Sequence, residues 1–410
     1  MPQPETLANV RRVNRALEAA WRSGLVPAPR LDSEALQSAA LRGRSPEALG
    51  PNRFWREPLR LLTEALRTQA ELNPLGQAMA YGQIVMALRA RIRATALWQR
   101  RPEILDRPLL PPIIILGQMR SGTTRMQRLL ACDDRLAHTR LFESLLPVPQ
   151  FGRKLRAKAG LSFLRWLNPD IGMIHPTAAE APEEEFGLFS FSLGSAQFEA
   201  QWRIPDFSRW WEEAPRTGLY DEFRRLLRTI DWSRRPSDVR PWVLKAPQFL
   251  QDLPAVLEAF PGAALLHLQR DPKQIVASSA SLVWNQMRIQ SDHADRQWVG
   301  QEWLRKTRLR EEIGARTLSA RPDVPVLSVE FEAMNQDWRS EMQRIYDFLG
   351  LELTPALLRR MEHYLNRAKA HRGHCYDLGR FGLSGPERGS DVERIDDRLF
   401  LSELQPQPSS

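Results

Sequence analysis

The most constraining stretch of this chain is Ile113-Ile114-Ile115-Leu116, four apolar residues in a row that end at Gly117. A strand with one face in water alternates apolar and polar side chains; an unbroken apolar run predicts a strand buried on both faces, as in a parallel sheet. Parallel neighbours need a crossover between them, and a helix is the usual one. Three further apolar runs answer that requirement: Trp242–Leu244, Ala264–Leu268 and Val324–Val329. Helical patterns follow the four strands, starting near Gly122, Gln248, Pro272 and Asn335. Strands alternating with helices predict an α/β architecture around a central parallel sheet flanked by helices.

The rest of the chain is arranged around that core. Residues 1–110 read as an N-terminal helical region. Leu59, Leu62 and Leu66, then Met79, Ile84 and Leu88, recur near helical spacing, and Asn73-Pro74 marks a break between them. Residues 111–383 form the α/β core, and a helical, aromatic-rich insertion at about 147–236 is long enough to form an acceptor pocket. Phe186, Phe189, Phe191, Phe198, Trp202, Trp210 and Trp211 lie in it, most of them suited to a core. The segment 384–410 is a polar tail.

Between the first strand and its helix stands Gly117-Gln118-Met119-Arg120-Ser121-Gly122-Thr123-Thr124. A glycine-bounded turn of this kind aims several backbone N–H groups at one point, at the positive end of the helix dipole, and so makes an anion cradle. Its spacing matches a nucleotide-binding P-loop, GxxxxG followed by a hydroxyl residue. The expected fold class is therefore a P-loop nucleotide-hydrolase-like core. The lysine that reaches the β- and γ-phosphates of a triphosphate is replaced by Thr123, and the cation sits inside the loop as Arg120.

Composition narrows the partners. The net charge is +9, and only six of the 58 cationic residues are lysines. The arginines are spread along the chain with no dense basic run, so no nucleic-acid partner is expected. No apolar run is long enough for a transmembrane segment, and the N-terminus lacks the apolar centre of a signal peptide. Two cysteines, Cys132 and Cys375, fit a reducing, cytoplasmic setting. No metal site is expected from their spacing, and the oligomeric state is not legible.

The segment RSGTT after a hydrophobic strand resembles the 5'-phosphosulfate loop of the sulfotransferase family, in its bacterial branch. The resemblance implies 3'-phosphoadenosine 5'-phosphosulfate (PAPS) as co-substrate, held by Arg120, Ser121, Gly122, Thr123 and Thr124. Farther on, Leu268-Gln269-Arg270-Asp271-Pro272 runs off a strand into a helix carrying Ser278. Asp271 then Pro272 is a good helix start, an N-cap followed by proline. Arg270 and Ser278 reproduce the spacing by which the family grips the donor's 3'-phosphate, and a guanidinium fork suits that dianion.

Leu244-Lys245-Ala246-Pro247 is similar to the family's LKxP element, which implies that Lys245 acts beside Arg120 on the breaking bond. Relatives often place a histidine shortly after that proline; this chain has Phe249. For the base, the resemblance points to Glu143, whose alternative role is to fix its loop through an arginine or backbone N–H groups. The rival is His175, near Glu183, Glu184 and Glu185. Ser328–Glu332 is similar to a family strand whose tyrosine lies by the adenine; here Phe331 can only stack. His371–Leu383 resembles the closing loop, placing Arg372, Gly373 and His374 over the nucleotide. The implied activity is transfer of a sulfuryl group to a hydroxyl or amine of a small-molecule, carbohydrate or lipid acceptor. A P-loop kinase and a non-catalytic nucleotide- or polyanion-binding protein are the alternatives.

Overall fold

The computed structural model describes residues 7–171, 176–234, 238–368 and 378–383. The chain divides into two compact units. One takes in the described residues of Leu110–His138, Arg240–Leu282 and Asp295–Ser410; the other takes in those of Met1–Leu109, Thr139–Val239 and Val283–Ala294.

The first of these contains a five-stranded sheet: β1 (Ile113–Leu116), β2 (Ala137–His138), β3 (Trp242–Lys245), β4 (Ala264–Gln269) and β5 (Val326–Glu330). Every pairing is parallel, and the order is β2-β3-β1-β4-β5. The fully apolar run of β1 has its reason here. Ile113 and Ile115 pack with Met126, Leu129, Val243, Leu266 and Val329, and with Met342, Ile345 and Tyr346 beyond them. Ile114 and Leu116, pointing the other way along the pleat, are equally buried. Burying each such side chain contributes about 1.5–3 kcal/mol.

Strand β1 is central, with β3 on one side and β4 on the other, so the crossover from β3 to β4 passes over it. That makes it the topological switch point, where open α/β sheets bind ligands beyond the carboxyl ends of the strands. Four of the five strands match the apolar runs read from sequence. The fourth run lies two residues later than expected, and its helix begins at Phe331, not near Asn335. Strand β2 escapes sequence reading because it is two residues long and exists by pairing with Trp242 and Val243.

The second unit is helical. The break at Asn73-Pro74 is a helix start: the Asn73 carboxamide accepts from the Gly76 amide at 2.8 Å, and Pro74 opens helix Pro74–Arg100. At its centre Arg91 pairs with Glu222, both nearly inaccessible, and Ser192 Oγ and Asn52 Nδ2 donate to the same carboxylate. Phe189, Phe191, Phe198, Trp202 and Trp211 are buried core side chains, with Phe189 stacked on Phe223 at 4.8 Å. Among the described residues, no helix is long and apolar enough to cross a membrane.

Candidate functional site

The loop after β1 is built by two glycines and one strained arginine. Gly117 has φ +147°, and a Cβ there would stand 2.7 Å from Ser121 Oγ and 2.9 Å from the Leu268 carbonyl. Gly122 has φ +91° and caps helix Thr123–Leu130. Between them Arg120 adopts φ +71°, a left-handed conformation that L side chains rarely take and that persists only when neighbours enforce it. The enforcing contact comes from Arg270, whose Nη1 donates to the Arg120 carbonyl at 2.7 Å.

Arg120 is also the hub for the second motif, since its Nε donates to Ser278 Oγ at 2.9 Å. Arg120, Arg270 and Ser278, scattered over about 160 residues of sequence, thus form one connected group. The Arg270 guanidinium continues to Gln274 Oε1 at 2.7 Å and lies 4.1 Å from the centroid of the Phe331 ring. Asp271 caps the helix as expected, its Oδ1 accepting from the Lys273 amide at 2.9 Å.

The three loop hydroxyls are not equivalent. Ser121 is fully buried and donates to the Gln118 carbonyl at 2.8 Å, so it closes the turn from inside. Thr123 is buried. Thr124 is partly exposed and accepts from Lys245 Nζ at 3.3 Å. Because Lys245 pairs beside Ile115 at the end of β3, its ammonium reaches the first turn of the loop's helix. Phe249, where a histidine was a possibility, is completely buried.

Phe331 is the first residue of a helix and not part of β5. Its ring packs edge-on against Gly122, where an added Cβ would meet Phe331 Cδ2 at 2.9 Å. Arg270 at 4.1 Å and Arg125 at 5.4 Å address the ring. Sequence reasoning passed over Arg125, whose Nη1 also donates to Asn335 Oδ1 at 2.8 Å. It missed Gln118 as well. The Gln118 Nε2 donates to Glu311 Oε1 at 2.9 Å and to the Thr307 carbonyl at 3.1 Å, tying the loop to helix Arg296–Ala320. Burial pushes the Glu311 carboxyl up to about 7, against the opposing pull of the Gln118 hydrogen bond and the Arg310 charge. No local signal marks a partner 193 positions away.

In the helical unit, Glu143 is buried in helix Leu141–Leu145. Arg234 engages both its oxygens, Nε to Oε1 at 3.0 Å and Nη2 to Oε2, and the Arg140 amide donates to Oε2 at 3.1 Å. These are the arginine and backbone contacts of the loop-fixing role. Glu183 accepts from Thr177 Oγ1 at 2.6 Å. His175 and the segment carrying Arg372, Gly373 and His374 lie outside the described residues.

A parallel sheet with a glycine-bounded, arginine-bearing loop at its switch point defines a P-loop-like group-transfer fold. The sulfotransferase family profile matches residues 111–355, well over half of the chain, and the protein belongs to that family. Its curated relatives include the omega-hydroxy-beta-dihydromenaquinone-9 sulfotransferase Stf3 of Mycobacterium bovis and of Mycobacterium tuberculosis. Each is 26% identical over 301 residues, covering 65% of this chain and 70% of the relative. Among solved structures, sulfotransferase STF1 from Mycobacterium tuberculosis H37Rv superposes with a TM-score of 0.74 at 25% identity, covering 89% of this chain and 98% of that one. Sulfotransferase STF9 from Mycobacterium avium shares the fold, with a TM-score of 0.74 at 23% identity over 87% and 93%. Family and fold together support sulfotransferase activity.

Proposed function

We propose that this protein is a PAPS-dependent sulfotransferase whose acceptor is a hydroxyl on an apolar, lipid-like molecule. The observation that carries the donor assignment is the connected group of Arg120, Arg270 and Ser278 around a loop that the chain can form only with glycine at 117 and 122. These residues fit a doubly phosphorylated adenosine. The loop amides and the helix dipole suit the 5'-phosphosulfate end. Arg270 with Ser278 supplies charge and a hydroxyl for a 3'-phosphate, and Phe331 offers an apolar edge for the base.

Sulfuryl transfer breaks a sulfur–oxygen bond to the donor phosphate and forms one to the acceptor oxygen. In line with related phosphoryl transfers, positioning and charge stabilisation do most of the work. Arg120 and Lys245, the latter held at Thr124, are the cations proposed to stabilise the leaving phosphate. Glu143 is proposed to take the acceptor proton, with His175 as the alternative. A carboxylate offers about four lone-pair positions, and Arg234 and the Arg140 amide use three at Glu143. The hydroxyl-bearing lipid in the name of the mycobacterial relatives favours an alcohol acceptor over an amine. A cytoplasmic location and action without a metal belong to the same reading.

Calorimetry separates this reading from its rivals. The desulfated donor, 3'-phosphoadenosine 5'-phosphate, should bind more tightly than adenosine 5'-phosphate and far more tightly than ATP. Arg270→Ala should weaken the first by about a hundredfold and the second, through the lost contact to the Arg120 carbonyl alone, by clearly less. Equal losses for both nucleotides, or a preference for ATP, would remove the assignment. Donor binding without sulfation of any alcohol in a lipid panel would favour a binding protein.

A further inference from the structure

Helix Arg153–Leu167 carries an apolar stripe that does not face the core. With successive residues turned by about 100°, its inner side is occupied by Ala157, Leu164 and Leu167. Ala157 packs with Phe142 and Ala179, and Leu164 and Leu167 pack against Val10, Val13 and Leu17 of helix Ala8–Arg22. On the outer side Leu155, Ala159, Phe163 and Trp166 fall within about 80° of arc. Leu155, Phe163 and Trp166 are 71%, 44% and 46% exposed, and Phe151, just before the helix, is fully exposed. The Phe163 and Trp166 rings stack at 5.8 Å, forming one broad apolar surface.

The charged residues beside that stripe are all of one sign. Residues 151–168 hold Arg153, Lys154, Arg156, Lys158 and Arg165 and no acidic residue. On the helical wheel Arg156 borders one side of the stripe, and Lys158 and Arg165 border the other. Two of this chain's six lysines are in this helix. The neighbouring helix Ala8–Arg22 adds the exposed Arg11, Arg12, Arg15 and Arg22 against Glu18. Among the described residues, Glu180 pairs with Lys154, Glu143 acts on Arg153, and Asp170 is taken by Arg288.

Exposed Trp, Phe and Leu gain nothing from water, and cations flanking them gain most from a surface that is negative outside and hydrocarbon within. We propose that helix Arg153–Leu167 lies in the interface of an anionic phospholipid bilayer, with Phe151, Leu155, Phe163 and Trp166 inserted and the flanking Arg and Lys side chains on the headgroups. Charge complementarity selects this occupant over a second copy of the chain, which would present like charges. The inference stands apart from the donor assignment, because none of these residues belongs to the loop or its partners.

Co-sedimentation of the full-length protein with phosphatidylcholine vesicles, with and without phosphatidylglycerol, tests it. Binding is expected only with the anionic lipid and should weaken in high salt. Leu155→Ser with Trp166→Ser should lower the affinity by about tenfold or more, and Lys158→Ser with Arg165→Ser by about tenfold. Brominated lipid should quench a tryptophan component that Trp166→Ser abolishes. All four positions are solvent-facing, so the far-UV circular dichroism of the variants should match the parent. Absence of vesicle binding overturns the proposal. So does an apolar double variant that binds vesicles as well as the parent, which would mark a polyanion-binding face, as would a single-stranded oligonucleotide bound more tightly than vesicles.

Discussion

The loop Gly117–Thr124 and the segment around Glu143 both hold charged groups in fixed positions, and they do so by different means. In the loop, backbone conformation does the holding: two glycines at positive φ, an arginine forced to φ +71°, and a hydroxyl folded inward on the Gln118 carbonyl. In the helical unit, buried or half-buried ion pairs do it: Glu143 with Arg234, Glu222 with Arg91, Asp231 with Arg107. Backbone devices need particular residues at fixed short spacing and therefore leave a motif. Ion pairs can join any two positions that the fold brings together and leave none. A donor common to a whole family suits the first kind of construction; a pocket that must differ from one acceptor to the next suits the second.

The largest effect is expected from breaking the second kind. Removing one partner of a buried pair strands the other charge and costs about 3–5 kcal/mol. Glu143→Gln should destabilise the protein by that order, as Arg234→Met should, measured by urea unfolding. The double variant Glu143→Gln with Arg234→Met restores charge balance and should regain most of the loss. Activity then sharpens the comparison. If Glu143 takes the acceptor proton, the stable double variant still loses about a hundredfold or more in kcat. If Glu143 only fixes its loop, kcat returns with stability, and the proposal of Glu143 as base fails.

A smaller effect is expected from disturbing the backbone device. Gly122→Ala places a Cβ 2.9 Å from the Phe331 ring at a φ of +91°. The conformation alone costs about 1–2 kcal/mol, so affinity for 3'-phosphoadenosine 5'-phosphate should fall by about fivefold to thirtyfold or more. Measured against a Phe331→Leu background, Gly122→Ala meets less of the clash but keeps the strain, so part of its penalty should disappear. Full recovery would mean that crowding, not the left-handed conformation, makes glycine necessary there.

The same contrast explains what the sequence revealed. Strands β1, β3 and β4 were readable because burial on both faces demands mostly apolar runs. Strand β5, with only Val329 buried, was readable because its Val and Leu residues still mark a strand, and the Asp271 cap because Asp-Pro is a local signal. Lys245 was readable because a lysine ending a buried strand must lead its ammonium somewhere polar, here Thr124. The two-residue β2 was not, since its hydrogen bonds belong to its neighbour β3. Phe331 is placed on a strand by the likeness of Ser328–Glu332 to a family strand; the chain turns into a helix at that residue instead. Arg234 for Glu143 and Glu311 for Gln118 were beyond reach, because each pairing spans about half or a quarter of the chain and exists only once the chain has folded.

Gln118 crosses the two kinds of construction, since a loop residue hangs on a long-range carboxylate, and it yields the smallest effect. Burial raises Glu311 from 4.5 to about 7. The unfolded chain releases this proton near 4.5 while the native state keeps it, so the contribution to stability is full below 4.5 and is lost as pH rises through 7. His267, buried in β4, runs oppositely. Burial lowers it from 6.5 to about 4, so its contribution is full above 6.5 and is lost as pH falls through 4. Between about 4.5 and 6.5 the two slopes offset one another, and the parent protein should show a nearly flat profile from this pair. Glu311→Gln keeps an oxygen for Gln118 and removes one slope. The variant should be more stable than the parent by about 1–3 kcal/mol at pH 8 relative to the difference at pH 5, the partial exposure of Glu311 reducing the full effect. Its stability should also rise steadily with pH from 4 to 6.5, as His267 then acts alone. A parallel pair of stability curves would show that the carboxyl at 311 titrates as if in water and that Gln118 is held by geometry without the proton.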